Sequence, residues 1–336
     1  MIPSHTLTPA LKLRPRPLSD WHRSHGEPLF VATLRSRAED FVVVEQLGWL
    51  PHGDGEHDYL WIEKVGANTD WLARQLARHA DVPVKDVGFA GLKDRHAITR
   101  QWFSVPRWHA PDWSALNLEG VVVLEQTRHL RKLRRGAHQA NEFRIVLRHA
   151  GRDAPKSLAA RLAMIAKLGV PNYFGEQRFG RHGANVTLAD DWARGKRLSR
   201  AKRSLAISTM RSLLFNEALS QRVAEASWDR LLPGDIANLD GSGSVFAVSE
   251  VDETLHRRCD AMDIHPAGVL VGAESPGVPE RWRGALARAR VEPGTRPLRL
   301  RVDQLETETF EDALALSFTL PRGAFATSVL REICEW

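Results

Sequence analysis

Apolar residues fall in short runs toward both ends of the chain and at helical spacing in its middle. Leu29 to Leu34 and Phe41 to Glu45 are apolar runs separated by the charged stretch Arg-Ser-Arg-Ala-Glu-Asp, and they predict two strands joined by a turn. The Gly-, Pro- and Asp-containing stretch 51–58 predicts a loop, and Tyr59 to Val65 a further strand. Asn68 caps a helix predicted from Thr69 to Ala80, with Trp71, Leu72 and Leu76 on one face and Asp81-Val82-Pro83 as its stop. Trp102 to Val105, Val121 to Glu125 and Phe143 to Leu147 are strand candidates. In the middle, Leu158 to Leu168 carries helical spacing ending at Gly169 and Pro171, and Ser204 to Ala226 predicts a long helix. Residues 266–284, rich in Gly and Pro, are expected to be loops. Strand signals return at Leu298 to Val302 and Ala313 to Leu320, and Ala324 to Glu332 predicts a short helix. The pattern is α+β: a strand-rich domain interrupted by a more helical insertion, with the last strands and helix returning to the first domain.

The 336 residues suffice for about two domains, so no disulfide or metal is needed as a staple. Two cysteines, Cys259 and Cys334, form no C-x-x-C pair, which fits a reducing compartment and excludes a zinc ribbon. The sequence Met-Ile-Pro-Ser-His lacks a signal-peptide pattern, and no apolar run reaches the length of a membrane span. A cytoplasmic protein with no membrane association is expected. The net charge of +6 comes mostly from Arg, whose planar guanidinium grips phosphates and stacks on bases; a polyanionic partner is expected.

Candidate chemistry centres on residues 88–101, Gly-Phe-Ala-Gly-Leu-Lys-Asp-Arg-His-Ala-Ile-Thr-Arg-Gln. Asp94 stands between Lys93 and Arg95 and is followed by His96. Nearby positive charge favours its ionised form, which suits nucleophilic attack or the anchoring of a cation. A charge cluster of this kind is also what a solvated turn looks like. The segment is not a P-loop, no G-x-S-x-G elbow occurs, and the histidines show no metal-ligand spacing. Arg128, Arg131, Lys132, Arg134 and Arg135 put five cations within eight residues, a field able to neutralise several phosphates. Asn141 and Phe143 share a strand face, where an amide can read a uracil edge and a ring can stack on it. Residues 172–181, Asn-Tyr-Phe-Gly-Glu-Gln-Arg-Phe-Gly-Arg, interleave aromatics with Arg178 and Arg181, a mixture suited to stacking and phosphate contact. Phe325 follows a Gly turn at the start of the last helix; by itself it reads as a core residue.

Five segments together resemble the tRNA pseudouridine synthase D (TruD) family: Glu39-Asp-Phe-Val-Val-Val-Glu45, Phe89 to Trp102, Lys132-Leu-Arg-Arg-Gly136 with Asn141-x-Phe143, Val170 to Gly180, and Phe325-Ala-Thr-Ser-Val-Leu-Arg-Glu332. They keep the family order and span nearly the whole chain. The resemblance implies a pseudouridine synthase fold with a long antiparallel sheet and an inserted α+β domain as the other wall of a cleft. The catalytic domain would comprise 1–154 and 297–336, and the insertion 155–296. It implies conversion of uridine to pseudouridine in tRNA at position 13, with Asp94 catalytic and with Phe41, Lys93, Asn141, Phe143, Phe325 and Arg35 at the substrate; no protein partner is implied, and a monomer is expected. At the basic position before the Glu39 segment this chain has Arg35 where the family usually has Lys, which keeps the charge and changes its geometry. The reaction needs neither redox change nor external energy, so no cofactor or metal is implied. A non-catalytic RNA-binding module is the alternative, and it would tolerate loss of the Asp94 carboxylate.

Overall fold

The structure, a computed structural model, describes residues 20–148 and 157–336. The expected boundary at 154/155 and the N-terminal residues inspected for a signal pattern lie outside the described residues. Strands β1 (Thr33–Leu34), β2 (Phe41–Gln46) and β3 (His57–Lys64) lead to helix α1 (Thr69–His79). Strands β4 (Gly88–Phe89), β5 (Ile98–Pro106), β6 (Val121–His129) and β7 (Ala140–Arg148) follow, then helix α2 (Ser157–Leu168) and strand β8 (Val170–Pro171). Helices α3 (Ala184–Ala193) and α4 (Arg200–Ala224) precede strands β9 (Ile236–Leu239) and β10 (Val245–Ala247), helix α5 (Glu253–Asp260), strand β11 (Ile264–Leu270) and helix α6 (Glu280–Arg288). Strands β12 (Gly294–Pro297), β13 (Arg299–Leu300), β14 (Asp303–Thr309) and β15 (Ala313–Pro321) come next, and then helix α7 (Ala326–Leu330).

These elements form two compact units. The sheet unit takes Phe30–Leu158, Val302–Gly323 and Glu335–Trp336, and the helical unit takes the described residues up to Leu29 with Ala159–Arg301 and Ala324–Cys334. In the sheet unit, nine strands run in the order β14-β15-β7-β2-β5-β3-β6, with β1 beside β7 and β4 beside β5. Every pairing is antiparallel except β2 with β5, so the expected antiparallel sheet is mixed at its centre.

Register sets what each face carries, because paired residues point to the same side. Val43 lies opposite Phe143 and Thr99, Phe143 opposite Phe318, Ile62 opposite Gln101, and Leu60 opposite Phe103. The alternating burial of β2 puts Phe41, Val43 and Glu45 on this same inner face. Helix α1 buries Leu72, Ala73, Leu76 and Ala77 against Leu60, Ile62, Phe103 and Val105. It ends as the sequence predicts, at Asp81, which takes the left-handed conformation with φ of 51°.

A second fastening joins the outer ends of β2 and β7. Asp40, buried just ahead of β2, accepts from Arg148 Nε at 2.8 Å and Nη2 at 2.6 Å. The Arg148 hydrogen bonds hold the Asp40 carboxyl below its usual value of 3.8, against burial, which acts to raise it. Since the folded-state value is the lower one, the pair contributes its full stability above the usual value of 3.8 and loses it as pH falls from there through the lowered one. Asp40→Asn is therefore expected to destabilise the protein by about 2–3 kcal/mol at pH 7, the scale of hydrogen bonds to a charged group. Urea unfolding at pH 7 and pH 3 checks this: the gap between variant and wild type should narrow in acid, and an equal gap at both would contradict it.

The helical unit is built on α4, whose Met210, Leu213, Leu214, Phe215 and Leu219 join Tyr173, Phe174 and Trp282 in one core. Its small sheet has the order β10-β9-β11-β12. Residues 266–284, expected as loops, contain most of β11 and the start of α6. Pro266 lacks a donor but its carbonyl accepts from Leu298 N at 2.8 Å. A Cβ on Gly268 would come within 2.8 Å of Leu298 and 2.9 Å of Phe215, so the glycine is there for close approach of α4. The two residues that suggested a loop are thus strand residues with local reasons.

Candidate active site

Asp94 lies between β4 and β5, and the chain around it is held at three successive residues by the turn joining β3 to α1. Lys93 N donates to Thr69 Oγ1 at 2.9 Å, Lys64 Nζ to the Asp94 carbonyl at 3.1 Å, and Arg95 Nε to the Gly66 carbonyl at 2.9 Å. Thr69 Oγ1 donates in turn to Gln101 Oε1 at 2.9 Å, and Gln101 Nε2 to the Gly91 carbonyl at 3.0 Å. The segment is therefore not a solvated charged turn. It is pinned to the inner face of the sheet.

The Asp94 carboxylate has one oxygen on each of two donors. Oδ1 accepts from His96 N at 3.0 Å, and Oδ2 lies 3.1 Å from Arg35 Nη2. The two side chains are 22% and 27% exposed, so the ion pair is ordered and still open to a ligand. Arg35 takes a left-handed φ of 59°, a conformation that costs about 1–3 kcal/mol in a non-glycine residue and tends to persist at functional sites. Its guanidinium carbon lies 4.2 Å from the centre of the Phe41 ring. A lysine could meet the carboxylate but could not lie flat on the ring, so Arg35 makes two contacts with one group.

Under this pair the inner face carries a second ion pair. Lys93 Nζ lies 2.7 Å from Glu45 Oε2, with both side chains almost fully buried, and Trp102 N donates to Glu45 Oε1 at 3.2 Å. Burial pushes the Glu45 carboxyl up, against the Lys93 charge. Lys93 is thus engaged within the protein. Asn141 sits directly across from Glu45 in the β2–β7 register. Its Oδ1 is buried and accepts no hydrogen bond among the described residues. Such an orphaned acceptor calls for an explanation. Phe143 stacks on Phe318 at 5.5 Å and receives the edge of Phe41 at 6.3 Å. Arg35, Phe41, Lys93, Asp94, Asn141 and Phe143 therefore all belong to one unit and one sheet face or its covering segment.

The basic run is tied to the same region. Leu133 N donates to Ser104 Oγ at 2.8 Å, and Gly136 N to the Ala90 carbonyl at 2.8 Å. Arg128, Arg131, Arg134 and Arg135 are exposed. Arg135 is already engaged, stacked 3.5 Å over Phe89 and paired with Asp70 at 3.3 Å, and Lys132 donates to the Lys85 carbonyl.

Phe325, Arg178 and Arg181 belong to the helical unit. Phe325 packs on Phe174 at 6.0 Å, and a Cβ on Gly175 would come within 2.9 Å of Thr327 and 3.3 Å of Phe325, so this glycine permits the contact. Asn216 fixes Phe174 by bonding both its N–H and its carbonyl. Arg178 reaches Ser208 Oγ at 2.9 Å and Arg181 is exposed. The final motif is largely structural. Arg331 and Glu332 are a buried pair at 2.9 Å, and Glu332 Oε2 accepts from the backbone of Ser24 and His25.

Near Asp94, Lys64 lies outside every motif, and Glu45 closes the first family segment without having been given a role. The signal is present in the alternation. Leu60, Ile62 and Lys64 share one face of β3, and Phe41, Val43 and Glu45 share one face of β2, so each charge falls where the period demands an apolar residue.

The pattern can now be set beside known proteins. The family model for tRNA pseudouridine synthase D (TruD) matches residues 25–196 and 186–333. A protein named tRNA pseudouridine synthase D from Methylococcus capsulatus is 45% identical over 94% of this chain and 95% of its own length. One of the same name from Pectobacterium atrosepticum is 43% identical over 92% of this chain and 94% of its own. A solved structure described as TruD, from Methanosarcina mazei, superposes with a TM-score of 0.69 over 93% of this chain and 95% of its own at 21% identity, which shows a common fold, that of a pseudouridine synthase. With its five motifs in order and matches along nearly its whole length, the chain belongs to the tRNA pseudouridine synthase D (TruD) family.

Proposed function

We propose that this protein isomerises uridine to pseudouridine in tRNA, at position 13, with Asp94 as the catalytic carboxylate. The observation that carries this reading is the geometry at Asp94, a partly exposed carboxylate fixed by Arg35 at 3.1 Å and His96 N at 3.0 Å on a pinned segment. The names borne by the relatives support the substrate and the reaction. A non-catalytic RNA-binding module would have no use for a carboxylate held so carefully within reach of a ligand.

In the reaction the N1–C1′ bond of uridine breaks and a C5–C1′ bond forms. The C5 hydrogen leaves as a proton and N1 takes one up, so the product is an isomer. A flipped-out nucleotide gives the enzyme access to these atoms. Asp94 starts the cleavage, by attack at C1′ or C6 or by taking the C2′ proton, and a carboxylate is a familiar partner for glycosidic bond cleavage. Arg35 aims Asp94 through their ion pair. The buried Asn141 Oδ1, which has no hydrogen-bond partner among the described residues, would accept the N3–H of uracil, with Phe41 and Phe143 as the aromatic surfaces and Lys93 acting through Glu45. The insertion would run over residues 155–296, a reading supported by the compact unit that holds 159–301. The same reading makes the protein a cytoplasmic monomer. Among the described residues no helix is long and apolar enough to cross a membrane.

The test is release of tritium from tRNA transcripts carrying C5-tritiated uridine. Release stoichiometric with pseudouridine at position 13 is expected, and no release across a tRNA panel would overturn the reading. Backbone contact is assigned to Arg128, Arg131, Lys132, Arg134, Arg135, Arg178 and Arg181. Arg131→Ala combined with Arg134→Ala is expected to weaken tRNA binding and to lower the salt dependence by a log–log slope of roughly 2, about one unit per lost phosphate contact. Filter binding at several salt concentrations checks it, and unchanged affinity and slope would remove these two residues from the interface.

A further inference from the structure

Lys64 is the last residue of β3 and points to the inner face, where it is 1% exposed. A lysine normally threads its ammonium out to water along its own flexible stem. Lys64 does not. Its ammonium stays inside and donates to two carbonyl oxygens, that of Ala67 at 2.7 Å and that of Asp94 at 3.1 Å. Both acceptors are neutral, so the charge is not compensated in the way the neighbouring Lys93 is by Glu45. Burial pushes the Lys64 ammonium down to about 8; the Asp94 charge acts against this and the Lys93 charge adds to it. A buried cation bound only to carbonyls is an expensive way to fill space, and a well-packed apolar side chain would serve stability as well or better. The placement is therefore informative. Of the three contacts that pin residues 93–95, the Lys64 contact is the only one on Asp94 itself.

We infer that Lys64 is a positioning residue for the isomerisation, a buried ammonium that fixes the Asp94 main chain so that its carboxylate meets the substrate in the geometry Arg35 also enforces. The inference rests on the reading of Asp94 as the catalytic carboxylate. Lys64 does not touch the reacting atoms. It holds the turn before α1 and the catalytic residue at a fixed separation, and it places a positive charge behind the carboxylate. Misplacement of a reacting group by about an ångström can lower a rate on the order of 100-fold. A neutral side chain of similar length would fill the volume and leave the carbonyl of Asp94 without its donor.

The experiment is steady-state tritium release by Lys64→Met beside wild type and Asp94→Asn, with thermal melting of all three. For Lys64→Met, kcat is expected to fall about 10- to 100-fold. KM for tRNA should stay within about twofold, and cooperative melting should be retained, with any lowering of the midpoint no larger than two carbonyls left without a donor explain. A folded Lys64→Met with kcat within about twofold of wild type would overturn the inference, as would a loss of kcat that merely follows a loss of fold. If Lys64→Met does not fold, Lys64→Ala assayed with added propylammonium decides the question. Recovery of kcat with propylammonium and not with propanol supports the inference; equal recovery with both, or none, refutes it. An active Asp94→Asn would instead sink the reading of the site on which Lys64 depends, so the two failures are distinct.

Discussion

Asp94→Asn is expected to abolish pseudouridine formation, with a loss on the order of 10⁴-fold or more, the scale seen when a nucleophile or base is removed from an enzyme. The substitution is nearly isosteric. Asparagine can still accept from His96 N through its Oδ1, and the anchoring of residues 93–95 does not involve the Asp94 side chain. What disappears is the negative charge and with it the pairing with Arg35. Because that pair is partly exposed, the effect on stability should be small, about 0–1 kcal/mol. Binding of tRNA should change little, since phosphate contacts supply most of the affinity. The signature is thus a dead enzyme that folds and binds. Tritium release, filter binding and melting on one preparation give all three readouts, and substantial residual turnover would remove Asp94 from the chemistry.

The largest effect on stability is expected for Lys93→Met. Removing one partner of a buried ion pair commonly costs about 3–5 kcal/mol, because the other charge is left unpaired. Here the survivor is Glu45, whose side chain is 0% exposed and keeps only the Trp102 N–H. Burial already pushes the Glu45 carboxyl up with Lys93 in place, and without Lys93 it must rise further. A carboxyl whose folded-state value is raised favours the folded state below its usual value of 4.5 and loses that advantage as pH climbs through the raised one. Denaturant titrations should therefore show Lys93→Met much weaker than wild type at pH 7 and closer to it near pH 4.5. A deficit independent of pH would mean that Glu45 is not the group left stranded.

Legibility in the sequence tracks how local the cause is. Helix α1 was readable because its apolar spacing and its stop lie close together in the chain; Asn68 stands at its N-cap position but makes no side-chain capping bond. The Asp94 segment was readable as chemistry because four charged or titratable residues arrive in sequence. The pairing of Arg35 with Asp94 was not, since it joins residues far apart in the chain and depends on a left-handed φ at Arg35 that only the folded backbone reveals. Lys64, outside every motif, and the inward role of Glu45, inside one, were hidden by the opposite problem. Their types read as surface, and only the strand phase marks them as inward-facing. β11 was missed because Pro266 and Gly268 are loop residues by composition and strand residues by contact with Leu298 and Phe215. Phe325 carries a family motif, and in the fold its immediate partner is Phe174 of the helical unit.

The order of strands in the sheet has a kinetic consequence. β15 pairs with β7 along nine residues, from Ala313 with Arg148 to Pro321 with Ala140, and the two strands are separated by the whole sequence of the helical unit's main segment. β7 is also the strand that receives β2, and so carries Asn141 and Phe143 opposite Glu45 and Val43. During synthesis the helical segment leaves the ribosome while β7 still has one unpaired edge. Loops this long close slowly, and an open strand edge invites wrong pairing meanwhile. The face that carries Asn141 and Phe143 is thus expected to be among the last parts of the sheet to become rigid, because β7 gains its second full-length neighbour only when the β14–β15 hairpin has been made.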